Sequence, residues 1–92
     1  MGVGGGVQAH LNTTNMEFAY RHRRMRDFVR VVQGATSQDD IIKRMAGAGH
    51  KIGRKVIYVD IDALAGIGIL VYKDRTTERY TVIKGASYQP IL

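Results

Sequence analysis

The sequence predicts a mainly α-helical domain of the α+β class, in which three helices are followed by a β-hairpin. Residues 14–17 and 36–40 both have the spacing of helix-capping boxes. Residues 53–65 carry an apolar stripe at helical spacing, and residues 67–84 have the two-residue period of strands on either side of a charged turn. A chain of 92 residues has room for one small domain with one core.

The charge balance favours a polyanionic partner. The chain has 14 Lys and Arg against 8 Asp and Glu, a formal net charge of +6, which suits nucleic acid or an acidic surface. A solvated basic surface without such a partner has the same balance, so both interpretations stay open on charge alone.

The composition also indicates a compartment. There is no cysteine, which excludes disulfides and Cys-based zinc sites and fits reducing conditions. No apolar run approaches the length that spans a membrane, and residues 1–14 lack the basic start and apolar middle of a signal peptide. We therefore expect a cytoplasmic protein without membrane contact, associated with the nucleoid if it binds DNA.

The first helix opens a domain predicted for residues 15–85, between a flexible Gly-rich tail of residues 1–14 and a C-terminal tail of residues 86–92. We expect this helix to end at Gly34, because glycine commonly follows the last helical turn. Its apolar stripe consists of Phe18, Met25, Phe28, Val29 and Val32. Its arginines are either a solvated face or phosphate contacts, and they are Arg21, Arg23, Arg24, Arg26 and Arg30.

The second helix is predicted to begin within residues 36–40. Two capping pairs compete there, Thr36 with Asp39 and Ser37 with Asp40, and both carboxylates suit the positive end of the helix dipole. Glycines in residues 46–49 end the helix. Its buried edge consists of Ile41, Ile42 and Met45.

The third element, residues 53–65, fits two templates. As a helix it places Ile57, Ile61 and Leu64 on one side, and as a strand it alternates apolar residues from Ile57 to Ala63. The elements that follow favour the helix. The alternative is an α+β sandwich with a helix at 37–46 and strands at 28–33, 54–62, 67–73 and 79–84.

The hairpin follows a break at residues 65–68. Its first strand alternates Ile67, Ile69 and Val71 with their neighbours, and its second strand covers residues 79–83. The turn between them, residues 73–78, is polar and charged.

The predicted order of elements is that of a winged helix-turn-helix domain, and residues 56–64, followed by Gly68 and Ile69, resemble the recognition helix of the deoxyribonucleoside-repressor-like regulators. Residues 36–42 resemble the acidic start of the second helix in that family. The turn in residues 46–53 is longer, and it looks more like the arginine-repressor branch. The resemblance covers residues 21–84. It implies a DNA-binding transcription regulator with helix 53–65 in the major groove and hairpin 67–84 as the wing.

The match within this helix is partial. The family pattern Ser-Arg-x-Thr-Val-Tyr-Arg-Asp-Ile-x-x-Leu is met at Arg54, Tyr58, Asp60, Ile61 and Leu64. Three polar family positions are instead filled by Gly53, Val56 and Val59.

One consequence of these departures is an exposed apolar line of Val56, Val59 and Ala63. Such a line would either cover thymine methyl groups or bind a protein. The alternative function is therefore a small winged-helix adaptor or inhibitor that binds a protein partner through this face.

The candidate interface follows from the geometry of helices on DNA. The N-terminal turn of a recognition helix lies nearest the bases, so Arg54 is expected at a guanine, with Tyr58 one turn on and Lys51 and Lys55 at phosphates. The start of the second helix and the wing tip would contact the backbone. The predicted nucleic-acid-binding residues are Ser37, Gln38, Lys51, Arg54, Lys55, Tyr58, Lys73, Arg75, Thr76 and Thr77.

Catalytic chemistry is not indicated. Asp60 and Asp62 are two residues apart, so on a helix they point in different directions and do not form a carboxylate pair. The histidines are scattered, and no His/Asp/Glu spacing suggests a metal. We expect no enzyme, cofactor, metal or small-molecule effector. The expected partner is double-stranded DNA, with a homodimer as an option that would use the N-terminal helix or the C-terminal tail.

Overall fold

Three helices followed by a two-stranded antiparallel hairpin make up the fold, which the computed structural model describes for residues 19–85. The elements are α1 (19–32), α2 (Gln38–Gly47), α3 (Arg54–Gly66), β1 (Ile69–Lys73) and β2 (Tyr80–Lys84). The predicted class and element order are confirmed, and the arrangement is consistent with a winged helix. The two predicted tails, the capping box at 14–17 and Phe18 lie outside the described residues.

The ambiguous third element is a helix. α3 is capped by Gly53 and runs from Arg54 to Gly66, so the strand interpretation of 54–62 is wrong. The sandwich alternative also fails at 28–33, where residues as far as 32 are helical. The physical reason is burial. A helical path turns Ile57 and Leu64 into the core together, whereas a strand would have used Val59 and Ala63, which are exposed.

The core lies where one face of each helix meets the inner face of the hairpin. Phe28 and Val32 come from α1 as predicted, with Met25 and Val29 partly buried beside them. Each fully buried large apolar side chain contributes about 1.5–3 kcal/mol. The buried apolar residues are Phe28, Val32, Ala35, Ile41, Met45, Ile57, Leu64, Ile69 and Val71.

One of the two predicted capping pairs forms at the start of α2. Ser37 is the N-cap, and its hydroxyl accepts from the backbone N–H of Asp40 at 3.0 Å. The Asp40 carboxylate reaches back and accepts from the N–H of Thr36 at 2.9 Å. That hydrogen bond is the main cause of a lowered pKa at Asp40. Of the two predicted pairs, Ser37 with Asp40 forms the cap.

The end of α1 is held by an arginine from α2. Gly34 has a φ of +83°, which glycine adopts without strain, and the chain turns there as predicted. Arg44 donates to the carbonyl oxygens of Val31 and Gln33, both at 3.0 Å. These carbonyls have no partner within a helix that ends here, so the guanidinium satisfies them.

The hairpin closes the core from the other side. Val71 lies opposite Val82, and Ile69 and Val71 point inward while Leu70 and Tyr72 stay exposed. The predicted alternation is confirmed, except that Ile67 caps α3 and β1 begins at Ile69.

The segment after α1 joins the hairpin through the backbone. The Gly34 N–H donates to the Tyr80 carbonyl at 2.8 Å, and the Tyr80 N–H donates to the Ala35 carbonyl at 2.8 Å. The base of the wing is therefore tied to α1 as well as to α3.

The long turn between α2 and α3 is anchored by a buried histidine. His50 is 8% exposed, and its Nε2 lies 2.8 Å from the Asp27 carboxylate of α1. Its ring and the Tyr20 ring meet at an interplanar angle of 67°, with 6.1 Å between ring centroids. The hydrogen bond with His50 is the main cause of a lowered pKa at Asp27. A contact across 23 positions thus fixes the turn that leads into α3.

This contact predicts a loss of stability in acid. The folded pKa of Asp27 lies below the unfolded value of about 3.9. The contribution of Asp27 to stability is therefore fully present above the unfolded pKa and is lost as pH falls through the folded pKa. Asp27→Asn should therefore reduce the fall in urea midpoint between neutral pH and pH ~3. Asp62→Asn, which removes an exposed carboxylate of α3, is the control. An Asp27→Asn curve with the wild-type pH dependence would contradict the assignment.

Candidate nucleic-acid interface

The side of α3 that faces away from the core is the centre of the candidate interface. Lys55, Tyr58 and Asp62 are exposed at helical spacing, opposite the buried Ile57 and Leu64. This side offers a cation, a phenol and a carboxylate within about two turns. A groove-binding helix reads base edges with such donors and acceptors.

Two contacts join this side of α3 to the start of α2. The Gln38 side-chain amide donates to the Tyr58 hydroxyl at 2.6 Å. Arg54 donates to the Asp39 carboxylate at 3.0 Å, and these two side chains are 65% and 75% exposed. The structure therefore brings together Gln38, Arg54 and Tyr58, which were predicted to bind nucleic acid on separate grounds.

Asp39 was not among the predicted interface residues, although it is the ion-pair partner of Arg54. Its position in the first turn of α2 already had an explanation in the helix dipole, so the sequence carried no signal for a contact across to α3. Exposed ion pairs contribute about 0–1 kcal/mol, so the contact does little to stop Arg54 from turning to another acceptor.

The start of α3 has no side-chain cap, because the N-cap is Gly53. Lys51 and Lys55 on either side of it are exposed. Within residues 19–85, neither lysine has an ion-pair partner. The start of α3 is therefore a patch of free positive charge next to Arg54.

The tip of the hairpin is a self-contained turn. The Asp74 carboxylate accepts from the backbone N–H groups of Thr76 and Thr77, at 2.7 and 3.3 Å. The Thr77 hydroxyl accepts from the N–H of Arg79 at 3.3 Å. The two threonines thus shape the turn, while the side chains of Lys73 and Arg75 are exposed and have no ion pair in the described chain.

No hydrogen bond within residues 19–85 joins this tip to α2 or α3. The predicted residues therefore form two groups. The first contains Ser37, Gln38, Lys51, Arg54, Lys55 and Tyr58, and the second contains Lys73, Arg75, Thr76 and Thr77.

Ser37 has a structural role in the first group. Its hydroxyl caps α2, so it is already engaged when the domain is folded.

Behind α3 lies a buried ion pair. Arg24 donates to both carboxylate oxygens of Asp60, at 2.7 and 3.0 Å. The Asp60 side chain is 1% exposed and that of Arg24 is 14% exposed. The hydrogen bond from Arg24 to Asp60 is the main cause of a raised pKa at Arg24. Both charges are therefore compensated, and the pair holds α3 against α1 in a fixed rotation.

Asp60 thus has a structural partner in the Arg24 guanidinium of α1. The prediction gave all five α1 arginines the same role, as a solvated face or phosphate contacts. Arg24 differs because it is mostly buried and paired with Asp60. No local signal distinguishes it, because its partner lies 36 positions away in the chain.

A groove of about 420 Å³ runs between α1 and α3, and we call it the α1–α3 groove. Its apolar lining is Met25 from α1 with Val56, Val59 and Ala63 from α3. The predicted apolar line on α3 is therefore one wall of this groove, and Val59 is 51% exposed. Arg21 and Lys55 line the groove as well.

No family model matches the chain, and no match is found among curated proteins or solved structures. Within the described residues, no helix is long and apolar enough to cross a membrane, and no group of His, Asp and Glu is placed to hold a metal ion.

Proposed function

We propose that this protein is a sequence-specific DNA-binding transcription regulator that places α3 in the major groove and the β1–β2 hairpin along the backbone as a wing. The observation that carries the proposal is the exposed side of α3, which presents Arg54, Lys55 and Tyr58 while the opposite side is packed into the core. An α-helix fits the width of the major groove, where each base pair has its own pattern of donors and acceptors.

Base contacts are assigned to the first turns of α3. Arg54 is suited to a guanine, whose O6 and N7 accept two hydrogen bonds from a guanidinium, worth about 1–3 kcal/mol of discrimination. To do so it exchanges the exposed Asp39 carboxylate for the base, which costs little. Tyr58 follows one turn later, oriented by its hydrogen bond from Gln38.

Backbone contacts are assigned to the surrounding cations. Lys51 and Lys55 flank the start of α3, and Lys73 and Arg75 extend from the hairpin tip. Phosphate contacts fix the register of a protein on DNA without reading sequence. The formal net charge of +6 supports the same assignment.

Selection of bound sequences from a random double-stranded DNA pool tests the proposal. We expect enrichment of one motif, since a rigidly held helix distinguishes base pairs by their edges. A pool that stays random after selection would contradict sequence-specific binding.

On the selected site, Arg54→Ala is expected to weaken binding by about 5- to 160-fold, the equivalent of 1–3 kcal/mol, and to weaken binding to random DNA much less. The control is Arg23→Ala, which removes an exposed α1 cation outside both proposed groups. Fluorescence anisotropy on both DNAs measures the difference. Equal losses on the two DNAs would make Arg54 a phosphate contact only.

A further inference from the structure

We propose that the α1–α3 groove binds an acidic amphipathic helix of another protein, one with apolar side chains on one face and carboxylates beside them. This surface lies on the α1 side of α3, and the inference does not depend on DNA binding. It rests on the shape of the groove, its apolar lining and its charge.

The apolar lining matches the face of a helix. Val56, Val59 and Ala63 lie at i, i+3 and i+7 on α3, and Met25 faces them from α1. A partner helix presents side chains at the same spacing, which is how helices bind in apolar grooves.

The charge of the groove selects an acidic partner. Arg21 and Lys55 line it, are exposed, and have no ion-pair partner within residues 19–85. Among residues 19–85, Asp60 is the one carboxylate in its lining, and Arg24 compensates that charge with two hydrogen bonds. The groove is therefore apolar along its length and positive in net charge, which is the complement of an acidic amphipathic helix.

A nucleic-acid backbone fits this surface less well. Phosphates would pair with Arg21 and Lys55 but would leave the four apolar side chains facing water or a charged backbone. Burial of that apolar surface favours a partner with apolar side chains of its own.

The first test is binding of a fluorescein-labelled helical peptide with Leu at i, i+3, i+4 and i+7 and Glu between them, measured by anisotropy with the full chain. A peptide of the same composition in scrambled order is the control. We expect binding of the patterned peptide only, because the scrambled one cannot present its apolar side chains on one face.

Two matched pairs of variants locate the site. Arg21→Glu should weaken peptide binding about tenfold or more, because it sets like charges opposite each other, whereas Arg23→Glu on the same helix should not. Ala63→Glu should weaken it similarly, whereas Ala65→Glu, also exposed on α3 but outside the groove, should not. Amide chemical shifts on addition of peptide should change at residues 56, 59 and 63 and stay constant in the hairpin.

Several results would overturn the proposal. These are equal binding of the patterned and scrambled peptides, no binding at about millimolar protein, or equal losses within either pair of variants. Self-association of the chain that Ala63→Glu abolishes would assign the groove to a second copy instead. A loss of DNA affinity in Arg21→Glu without any peptide binding would assign the edge of the groove to phosphates.

Discussion

Asp60→Ala is expected to lower the free energy of unfolding by about 3–5 kcal/mol, the cost of removing one partner from a buried ion pair. The substitution leaves the Arg24 guanidinium, 14% exposed, without the two hydrogen bonds that now satisfy it. Small domains have a total stability of about 5–15 kcal/mol, so the variant would be near the limit of folding. Urea denaturation of the variant and the wild type measures the difference.

The control for this prediction lies two positions away. Asp62 is exposed on the opposite side of α3, so Asp62→Ala should change stability by no more than about 0.5 kcal/mol. A double variant, Arg24→Met with Asp60→Leu, removes both charges and should recover much of the loss, because apolar replacements of buried pairs are often neutral. Equal losses in Asp60→Ala and Asp62→Ala would show that the pair does not hold α3.

The salt dependence of DNA binding is the second large effect. Four cations are assigned to phosphates, and each neutralised phosphate contributes about −0.9 to the slope of log affinity against log salt. A slope of about −3.6 corresponds to a loss of roughly 150-fold between 50 and 200 mM salt. The four are Lys51, Lys55, Lys73 and Arg75.

Single substitutions test the assignment. Lys55→Ala should reduce the magnitude of the slope by about 0.9, because one counterion fewer is released. Lys43→Ala, which removes an exposed cation of α2 outside the interface, should leave it unchanged. A nearly flat salt response, or equal effects of the two variants, would argue against a phosphate-dominated interface at these positions.

The elements themselves were predictable because their signals are local. The cap at Ser37, the stop at Gly34 and the alternation of Ile69 and Val71 each depend on residues a few positions apart. Residues 53–65 were harder because their apolar residues fit both periods. Packing against the neighbouring elements favours the helix over the strand, because it buries Ile57 and Leu64 and leaves Val59 in solvent.

The candidate interface was predictable only in part. Residue types and helix geometry nominated Arg54, Lys55 and Tyr58, and the structure leaves all three exposed on α3. The contacts made by two of them come from α2, through Gln38 to Tyr58 and through Asp39 to Arg54. The α1–α3 groove was foreseeable only as a line of three apolar residues on one helix.

The sequence by itself determined the element order, the helix ends and the strand alternation, because capping, glycine conformation and side-chain period act over one or two turns of chain. Only the tertiary structure showed that Arg24 pairs with Asp60, that His50 contacts Asp27, and that α1 supplies the second wall of a groove. These contacts join residues 23 to 36 positions apart. Several arginines and aspartates are similar in local sequence, and which of them form a pair depends on how each helix is rotated about its axis when the helices pack. Local sequence does not specify that rotation.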